Sequence, residues 1–289
     1  MKESVFPKRI EIEFTNSCNS KCIYCPRNYG VGEEGFMSFE LFRRIIDEAS
    51  GHPDVVLQLH RRGESLLHPS FSVMLSYVKG KFRNVQIATN AIALDEEKAV
   101  VMAETLDFVS FSLDLPGKYA EKRGVDLYPQ VEKNIERFLS INKRARSQVS
   151  AVRDDDMDEK DIEAFRRIWV QRVDRVRIYQ KHSIGGVFGA TDDKRVDRKP
   201  CMKPFTDMVI YWDGKVARCN HDWSKDPIGD VSREGIRQIW NNDNYNRIRD
   251  EQKKLFFSED VCKKCDSWYA EEGVQGTGYV FEKDRGENG

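Results

Sequence analysis

Three cysteines stand at 18, 22 and 25 in the stretch FTNSCNSKCIYCPRNYG, spaced C-x3-C-x2-C. Thiolates packed this closely are the usual ligands of an iron-sulfur cluster, and three of them around a cube of four irons leave one iron without a protein ligand. An open position is what a catalytic metal keeps and a structural one closes, so the triad suits a cluster that binds a small molecule directly. The alternative is a zinc site of Cys18, Cys22 and Cys25 completed by a distant histidine, although such sites generally use paired C-x2-C spacings. A second set, Cys201, Cys219, Cys262 and Cys265, offers four thiols, two of them as C-x2-C. Four close a complete shell around either a cluster or a zinc ion.

Both sets need a frame to hold them. The 289 residues suffice for one large α/β domain or a domain with a small appendage. Lys and Arg (47) nearly cancel Asp and Glu (48), which leaves no electrostatic footprint for a nucleic-acid backbone. The opening MKESVFPKRIEIEF lacks an apolar run of signal-peptide length, and no segment is apolar for long enough to span a bilayer. A cytoplasmic protein without a membrane partner is expected. In a reducing compartment, an odd total of seven cysteines reads as ligands rather than disulfides.

Strand-like runs at 9–14, 54–60, 84–90, 107–114, 148–152 and 175–179 alternate with helical patterns, beginning with 37–50, where Ser38 is a candidate N-cap. Six such strands imply a parallel sheet covered by helices, either doubly wound or curved toward a barrel. The Gly-rich and charged segment after Tyr179 marks a boundary, giving expected units of 1–190 and 191–289. In the second unit, 205–219 predicts a hairpin around Asp213-Gly214, and 233–254 predicts one helix. The tail from 271 is predicted to be mostly disordered, with Tyr279, Val280 and Phe281 free to pack locally or cover a site.

The C-x3-C-x2-C triad, with Tyr24 before its last cysteine, resembles the signature of the radical S-adenosylmethionine (SAM) superfamily. That resemblance implies a partial (β/α)6 TIM barrel and a 4Fe-4S cluster whose open iron binds SAM, with reductive cleavage yielding a 5'-deoxyadenosyl radical. RRGESLLHP (61–69) resembles the GGEP-type motif, with Gly63 and Glu64 matching and Arg62 and Ser65 departing from it; Glu64 would receive the SAM ammonium. ATNA, containing Thr89 and Asn90, resembles the third-strand TNG motif without its glycine. FSLDLPGKYAEKRG resembles the fourth-strand segment, which implies Ser112 and Asp114 near the SAM ribose and Arg123 near its carboxylate. Taken singly, Glu64 reads as a solvated loop acid and Arg123 as a helix-surface cation. Their order after successive strands gives the reading its weight, because ligands in such folds sit at the carboxyl ends of strands.

CMKPF, WDGKVARCNHD and CKKC in sequence resemble the SPASM and twitch extensions. The single C-x2-C matches twitch and implies one auxiliary 4Fe-4S cluster on Cys201, Cys219, Cys262 and Cys265, hence two clusters in all. No thiol is then left to donate a hydrogen atom to a substrate radical, which disfavours an epimerase. The architecture resembles that of radical SAM dehydrogenases acting on 2-deoxy-scyllo-inosamine. This implies a two-electron oxidation of a sugar or aminocyclitol alcohol, with the auxiliary cluster as electron acceptor and flavodoxin or ferredoxin as electron donor. An epimerase or peptide-modifying enzyme is the alternative, and a zinc-binding interaction module a further one. Only seventeen residues precede Cys18, which argues against a leader-recognition domain. Alcohol oxidation requires a base. Candidates near strand ends are His60, Arg61, Arg62, Arg177 and His182, and the HRRGE cations are expected to contact SAM or an anionic substrate group.

Overall fold

Six parallel strands follow one another across the sheet in chain order: β1 (Arg9–Ile12), β2 (Val56–Gln58), β3 (Asn84–Thr89), β4 (Phe108–Ser112), β5 (Arg146–Arg153) and β6 (Arg175–Gln180). They belong to a computed structural model that describes residues 5–29, 32–154, 156–181, 183–188, 198–223, 226–266, 268 and 278–283. Crossovers between parallel strands are right-handed, so an order that never reverses sends all the connecting helices to one side of the sheet. A doubly wound sheet needs a reversal. This one has none, and the expected partial (β/α)6 arrangement is the one observed.

The connecting helices are α1 (Phe39–Ala49), α2 (Phe71–Val78), α3 (Glu96–Thr105), α4 (Pro116–Arg123), α5 (Tyr128–Ile141) and α6 (Glu159–Trp169). α1 starts where the sequence predicts: Ser38 Oγ accepts a hydrogen bond from the Leu41 N–H at 3.2 Å, and the buried stripe is Phe42, Ile45, Ile46 and Ala49. Residues three and four apart share a helix face, which is why that spacing buries one side. α4 ends on Arg123, the residue read singly from sequence as a helix-surface cation. Its short, charged sequence gives little apolar periodicity, yet Pro116 at its start and Gly124 in the left-handed conformation (φ 68°) at its end delimit it.

Side chains alternate across a strand, so the register divides the sheet into two chemically distinct faces. Ile10, Leu57, Ile87, Val109, Phe111, Val149 and Val176 point toward the helices and are all buried. Phe111 meets Phe138 of α5 edge-on at 5.4 Å. The opposite face carries Glu11, Gln58, Gln86, Ser110, Gln148, Ser150, Arg175 and Arg177 in successive register. These residues bond to one another: Gln58 Nε2 donates to Gln86 Oε1 (3.0 Å), and Gln148 Nε2 to Ser110 Oγ (2.8 Å).

The sheet continues past the expected boundary, which lies among residues 189–197, outside the described residues. A short helix, α7 (Lys203–Thr206), leads into β7 (Asp207–Ile210), which pairs in parallel with β1. β7 then forms the predicted hairpin with β8 (Lys215–Ala217) over Gly214 (φ 88°), and β9 (Gly229–Asp230) completes that edge. The single helix expected at 233–254 is two, α8 (Ile236–Trp240) and α9 (Asp243–Lys254). Asn242 interrupts them because its side chain accepts the Tyr245 N–H at 2.9 Å and caps a new start. α10 (Asp260–Lys263) follows. The segment of the tail expected to pack locally is ordered: β10 (Gly278–Glu282) pairs antiparallel with the open edge of β6, and Tyr279 Oη bonds to both Arg153 and Glu159 at 2.7 Å. Among the described residues, no helix is long and apolar enough to cross a membrane.

Ala91, just past β3, adopts φ 57° where the related motif has glycine. A side chain there costs roughly 1–2 kcal/mol, and a β-branched one is disfavoured further. Ala91→Gly should therefore leave stability within about 1 kcal/mol, whereas Ala91→Val should lower it by about 2 kcal/mol or more, as read from urea unfolding curves.

Candidate functional site

The cysteine triad follows β1 and is seated on the end of α4. Lys21 N donates to Arg123 O (2.9 Å) and Ile23 N to Lys122 O (3.0 Å). A side chain on Gly124 would stand 2.9 Å from Lys21 O, so the contact also relies on a residue without Cβ. Cys18, Cys22 and Cys25 are all free thiols, and Ser20 Oγ lies 3.6 Å from the first sulfur and 3.3 Å from the second. Burial pushes the Cys25 thiol up to about 11 and raises Cys18 as well, the latter helped by the Glu64 carboxylate. Thiols held protonated in this way are poor nucleophiles, and bound metal is what draws the proton off.

The loop after β2 closes directly over the triad. Gly63 lies so close to the chain that a Cβ would meet Thr15 O and Ser17 O at 2.4 Å, and Glu64 N donates to Ser17 O at 2.8 Å. Glu64 is buried rather than solvated. Its carboxylate accepts Thr89 Oγ1 (2.8 Å), Asn90 N (2.8 Å) and Leu66 N (3.1 Å), while burial raises its pKa. Asn90 turns its side-chain amide to Asn19 (2.8 Å) and to Cys18 Sγ (3.8 Å). The strand-end residues expected to act together thus form one connected group.

Arg123 is likewise no surface cation. It is buried, donates through Nε to Asp114 Oδ2 at 2.7 Å, and places Nη1 3.7 Å from Cys22 Sγ. Tyr24 Oη donates to the same Asp114 oxygen at 2.6 Å. The other carboxylate oxygen of Asp114 is buried and lacks a hydrogen-bond partner among the described residues. An orphaned acceptor of this kind is costly unless a ligand donor reaches it, which fits a ribose hydroxyl. Ser112 lies with Tyr24, His60 and Arg123 around a cavity of about 270 Å³ that opens onto the polar face of the sheet, where Gln58, Gln86, Ser110 and Ser150 also line it.

His60 differs from expectation. Its Nδ1 accepts the Ala88 N–H at 3.0 Å, and burial, reinforced by Arg61 and Arg9, lowers its pKa to about 4. In this tautomer Nε2 carries the proton, so His60 presents a donor to the cavity and not a base. Arg61 and Arg62 are not among the described residues that line this cavity. Arg62 forms a two-pronged pair with the buried Glu13 (2.7 and 2.8 Å) and lies 3.6 Å over the Tyr211 ring. Arg61 reaches Asp222 O (3.3 Å) and Glu11 (3.6 Å). Arg177 shares the polar face with Ser150 and stacks on Tyr179 at 4.9 Å. His182 lies outside the described residues.

Cys201, Cys219, Cys262 and Cys265 line one cavity between the β7–β8 hairpin, α9 and α10. Burial pushes Cys262 up to about 12 and raises Cys219 further still. Among the described residues, no three His, Cys, Asp or Glu side chains converge closely enough for a single ion. Gln252 on α9, not anticipated from sequence, joins the set: its Oε1 accepts Cys201 N (2.9 Å) and its Nε2 approaches Cys262 Sγ (3.8 Å). The available signal was a glutamine on the same helix face as Tyr245 and Ile248.

Residues 12–177 match the Radical SAM superfamily, and residues 201–266 match an iron-sulfur cluster-binding domain, SPASM. The chain belongs to the radical SAM superfamily. Its cofactors are accordingly SAM and a 4Fe-4S cluster, with auxiliary iron-sulfur binding in the SPASM region. Over 110 residues it is 34% identical to the tungsten-containing aldehyde ferredoxin oxidoreductase cofactor-modifying protein of Pyrococcus furiosus, covering 37% of this chain and 31% of that one. Over 109 residues it is 28% identical to the mycofactocin maturase MftC of Mycobacterium tuberculosis, covering 38% and 27%. The chain thus spans less than a third of the length of these relatives. Among solved structures, BtrN in complex with AdoMet and 2-DOIA superposes with a TM-score of 0.64 at 20% identity, covering 97% of this chain and 100% of BtrN. SuiB of Streptococcus suis bound to the precursor peptide SuiA gives 0.73 at 15% identity, covering 91% and 70%. Both likenesses concern the fold.

Two outcomes follow from this geometry. Gly63→Ala should force the loop off Thr15–Ser17 and abolish measurable SAM binding in equilibrium dialysis while the far-UV spectrum is retained. The lowered pKa of His60 has a definite sign: the unfolded chain takes up a proton that the folded one refuses, so stability is lost as pH falls from 6.5 toward about 4. Urea unfolding across that range should show a shallower loss in His60→Gln than in the native chain.

Proposed function

We propose that the protein is a radical SAM oxidoreductase that removes a hydrogen atom from a small polar substrate, with a sugar or aminocyclitol alcohol as the leading substrate class. The observation that carries this reading is the 270 Å³ cavity, where the Gln58 and Gln86 amides and the Ser110, Ser112 and Ser150 hydroxyls are set among apolar Ile87, Phe108 and Val152, and which reaches Tyr24 and Arg123 beside the cysteine triad. Uncharged donors and acceptors fixed on rigid strands suit a polyhydroxylated molecule, because each substrate hydroxyl then exchanges water for a placed partner.

In this reading Cys18, Cys22 and Cys25 hold the SAM-binding cluster, and Glu64 with the Asn90 region meets the amino end of SAM. Asp114 Oδ1 receives the ribose, and Arg123 offsets the negative charge of the ligated Cys22. When bound, cluster and SAM together supply the hydrogen-abstracting chemistry. The chain's part is to orient the substrate and keep water out. His60 Nε2 and Ser112 present a donor and a hydroxyl to the substrate oxygens. Cys201, Cys219, Cys262 and Cys265 would hold one auxiliary 4Fe-4S cluster as acceptor of the substrate's electron, Arg177 beside Ser150 on the polar face remains the candidate to take the hydroxyl proton, and a flavodoxin or ferredoxin serves as electron donor. Residues 1–190 and 191–289 form the two functional units.

A second reading, peptide modification, rests on the relatives. SuiB was solved with a precursor peptide, and MftC is named a maturase. One experiment separates the readings. Anaerobically reconstituted protein holding about eight irons is incubated with SAM, dithionite and either deuterated cyclitols and sugars or short peptides. Deuterium should appear in 5'-deoxyadenosine with a cyclitol or sugar. Transfer only from peptides would move the assignment to the second reading.

A further inference from the structure

The two consecutive arginines, Arg61 and Arg62, are the feature that the proposed chemistry leaves unused. Both are nearly inaccessible, with side chains 6% and 9% exposed, although they belong to the loop that closes over the cysteine triad. Arg62 anchors the root of that loop. Its backbone N–H (3.1 Å) and its guanidinium both bond to Glu13, which is 0% exposed at the end of β1. Arg61 runs the other way, beneath the C-terminal hairpin. Its Nη2 donates to Asp222 O at 3.3 Å, and its guanidinium lies 5.0 Å from the Trp223 ring.

Asp222 belongs to the turn that begins at Cys219. Its N–H donates to Cys219 O (3.2 Å), and its carboxylate accepts Arg218 Nη1 (2.7 Å). The Asp222 carbonyl that meets Arg61 also accepts Tyr211 Oη at 2.8 Å, and the Tyr211 ring carries Arg62 at 3.6 Å. From Glu64 to Cys219, then, the connection consists of chain neighbours and charge-assisted contacts shielded from water, where such contacts are strongest.

We propose that Arg61 is a positioning residue that couples the two cluster sites, so that filling the four-cysteine site tightens SAM binding at the other. This rests on the assignment of SAM and the auxiliary cluster given above. The cause is mechanical: a cluster that fixes Cys219 fixes the 219–222 turn, and a fixed Asp222 carbonyl orders the 61–64 loop before SAM arrives, removing an ordering cost from the binding step. Among the described residues, the partners of Arg61 are Asp222, Glu11 and Trp223 and none of the cysteines, so its influence runs through Asp222.

The test is a double-mutant cycle of SAM affinity by anaerobic equilibrium dialysis, with iron content and circular dichroism measured on every variant. Its corners are the native chain, Cys262→Ala with Cys265→Ala, Arg61→Ala, and all three substitutions together. Loss of the auxiliary cluster should weaken SAM binding about fivefold or more in the native background and under about twofold once Arg61 is absent. An equal loss in both backgrounds overturns the coupling. Because linkage is reciprocal, a second readout holds even where the cysteine variant fails to fold. SAM should alter the auxiliary cluster's electron paramagnetic resonance spectrum in the native chain and not in Arg61→Ala. An auxiliary spectrum indifferent to SAM in the native chain overturns it as well. Native protein with about four irons, or unable to bind SAM, overturns the functional reading and the coupling together; about eight irons, bound SAM and no coupling overturn the coupling alone.

Discussion

The handedness of strand crossovers decides most of this molecule. Six parallel strands laid down without a reversal put all the connecting helices on one face, where Ile10, Leu57, Ile87, Val109, Phe111 and Val149 find apolar partners. The other face carries the polar residues of the register. Its residues must satisfy one another or meet a ligand, and Gln58, Gln86, Ser110 and Gln148 do the former while leaving a cavity beside them for the latter. The strand ends on that side collect the cysteine triad, the Gly63–Glu64 loop, Thr89–Asn90 and Ser112–Asp114 at one rim.

Seating the triad depends on close backbone approach more than on any single strong bond. The triad's loop is held from one side by the carbonyls of Lys122 and Arg123 at the end of α4, and from the other by the loop at Gly63. Arg123 then serves twice, as a carbonyl that locates the loop and as a guanidinium against Cys22. The acidic groups nearby stay buried because each is met by fixed donors: Glu64 by three, Asp114 by Tyr24 and Arg123, Glu13 by Arg62. Removing one partner from such an arrangement leaves a buried charge, which is why these residues work as a unit.

The C-terminal region is not a bead on a string. β7 lies directly against β1, so the strand that leads into the triad and the hairpin that carries Cys219 share a ladder of hydrogen bonds. β10 returns to the opposite edge and covers β6. A tail that reads as polar and glycine-rich contains one five-residue run that an open strand edge can pair with, and the edge supplies the order that the composition lacks.

Local pattern was enough for much of this. The alternation of short strands and amphipathic helices was legible because period 2 and period 3.6 are properties of neighbouring residues, and Ser38 caps α1 for a reason contained within four residues. The cysteine spacing, the motif order and the superfamily were legible for the same reason. What only tertiary structure decided concerns partners distant in sequence: that Arg61 and Arg62 turn toward Asp222 and Glu13 instead of the cavity, that Ala88 fixes the tautomer of His60, that α4 seats the triad, and that Gln252 joins Cys201 to Cys262. A side chain's type states which bonds it can make. Which of them it makes is set by what the fold brings within about 3 Å, and one sequence does not list its own distant neighbours.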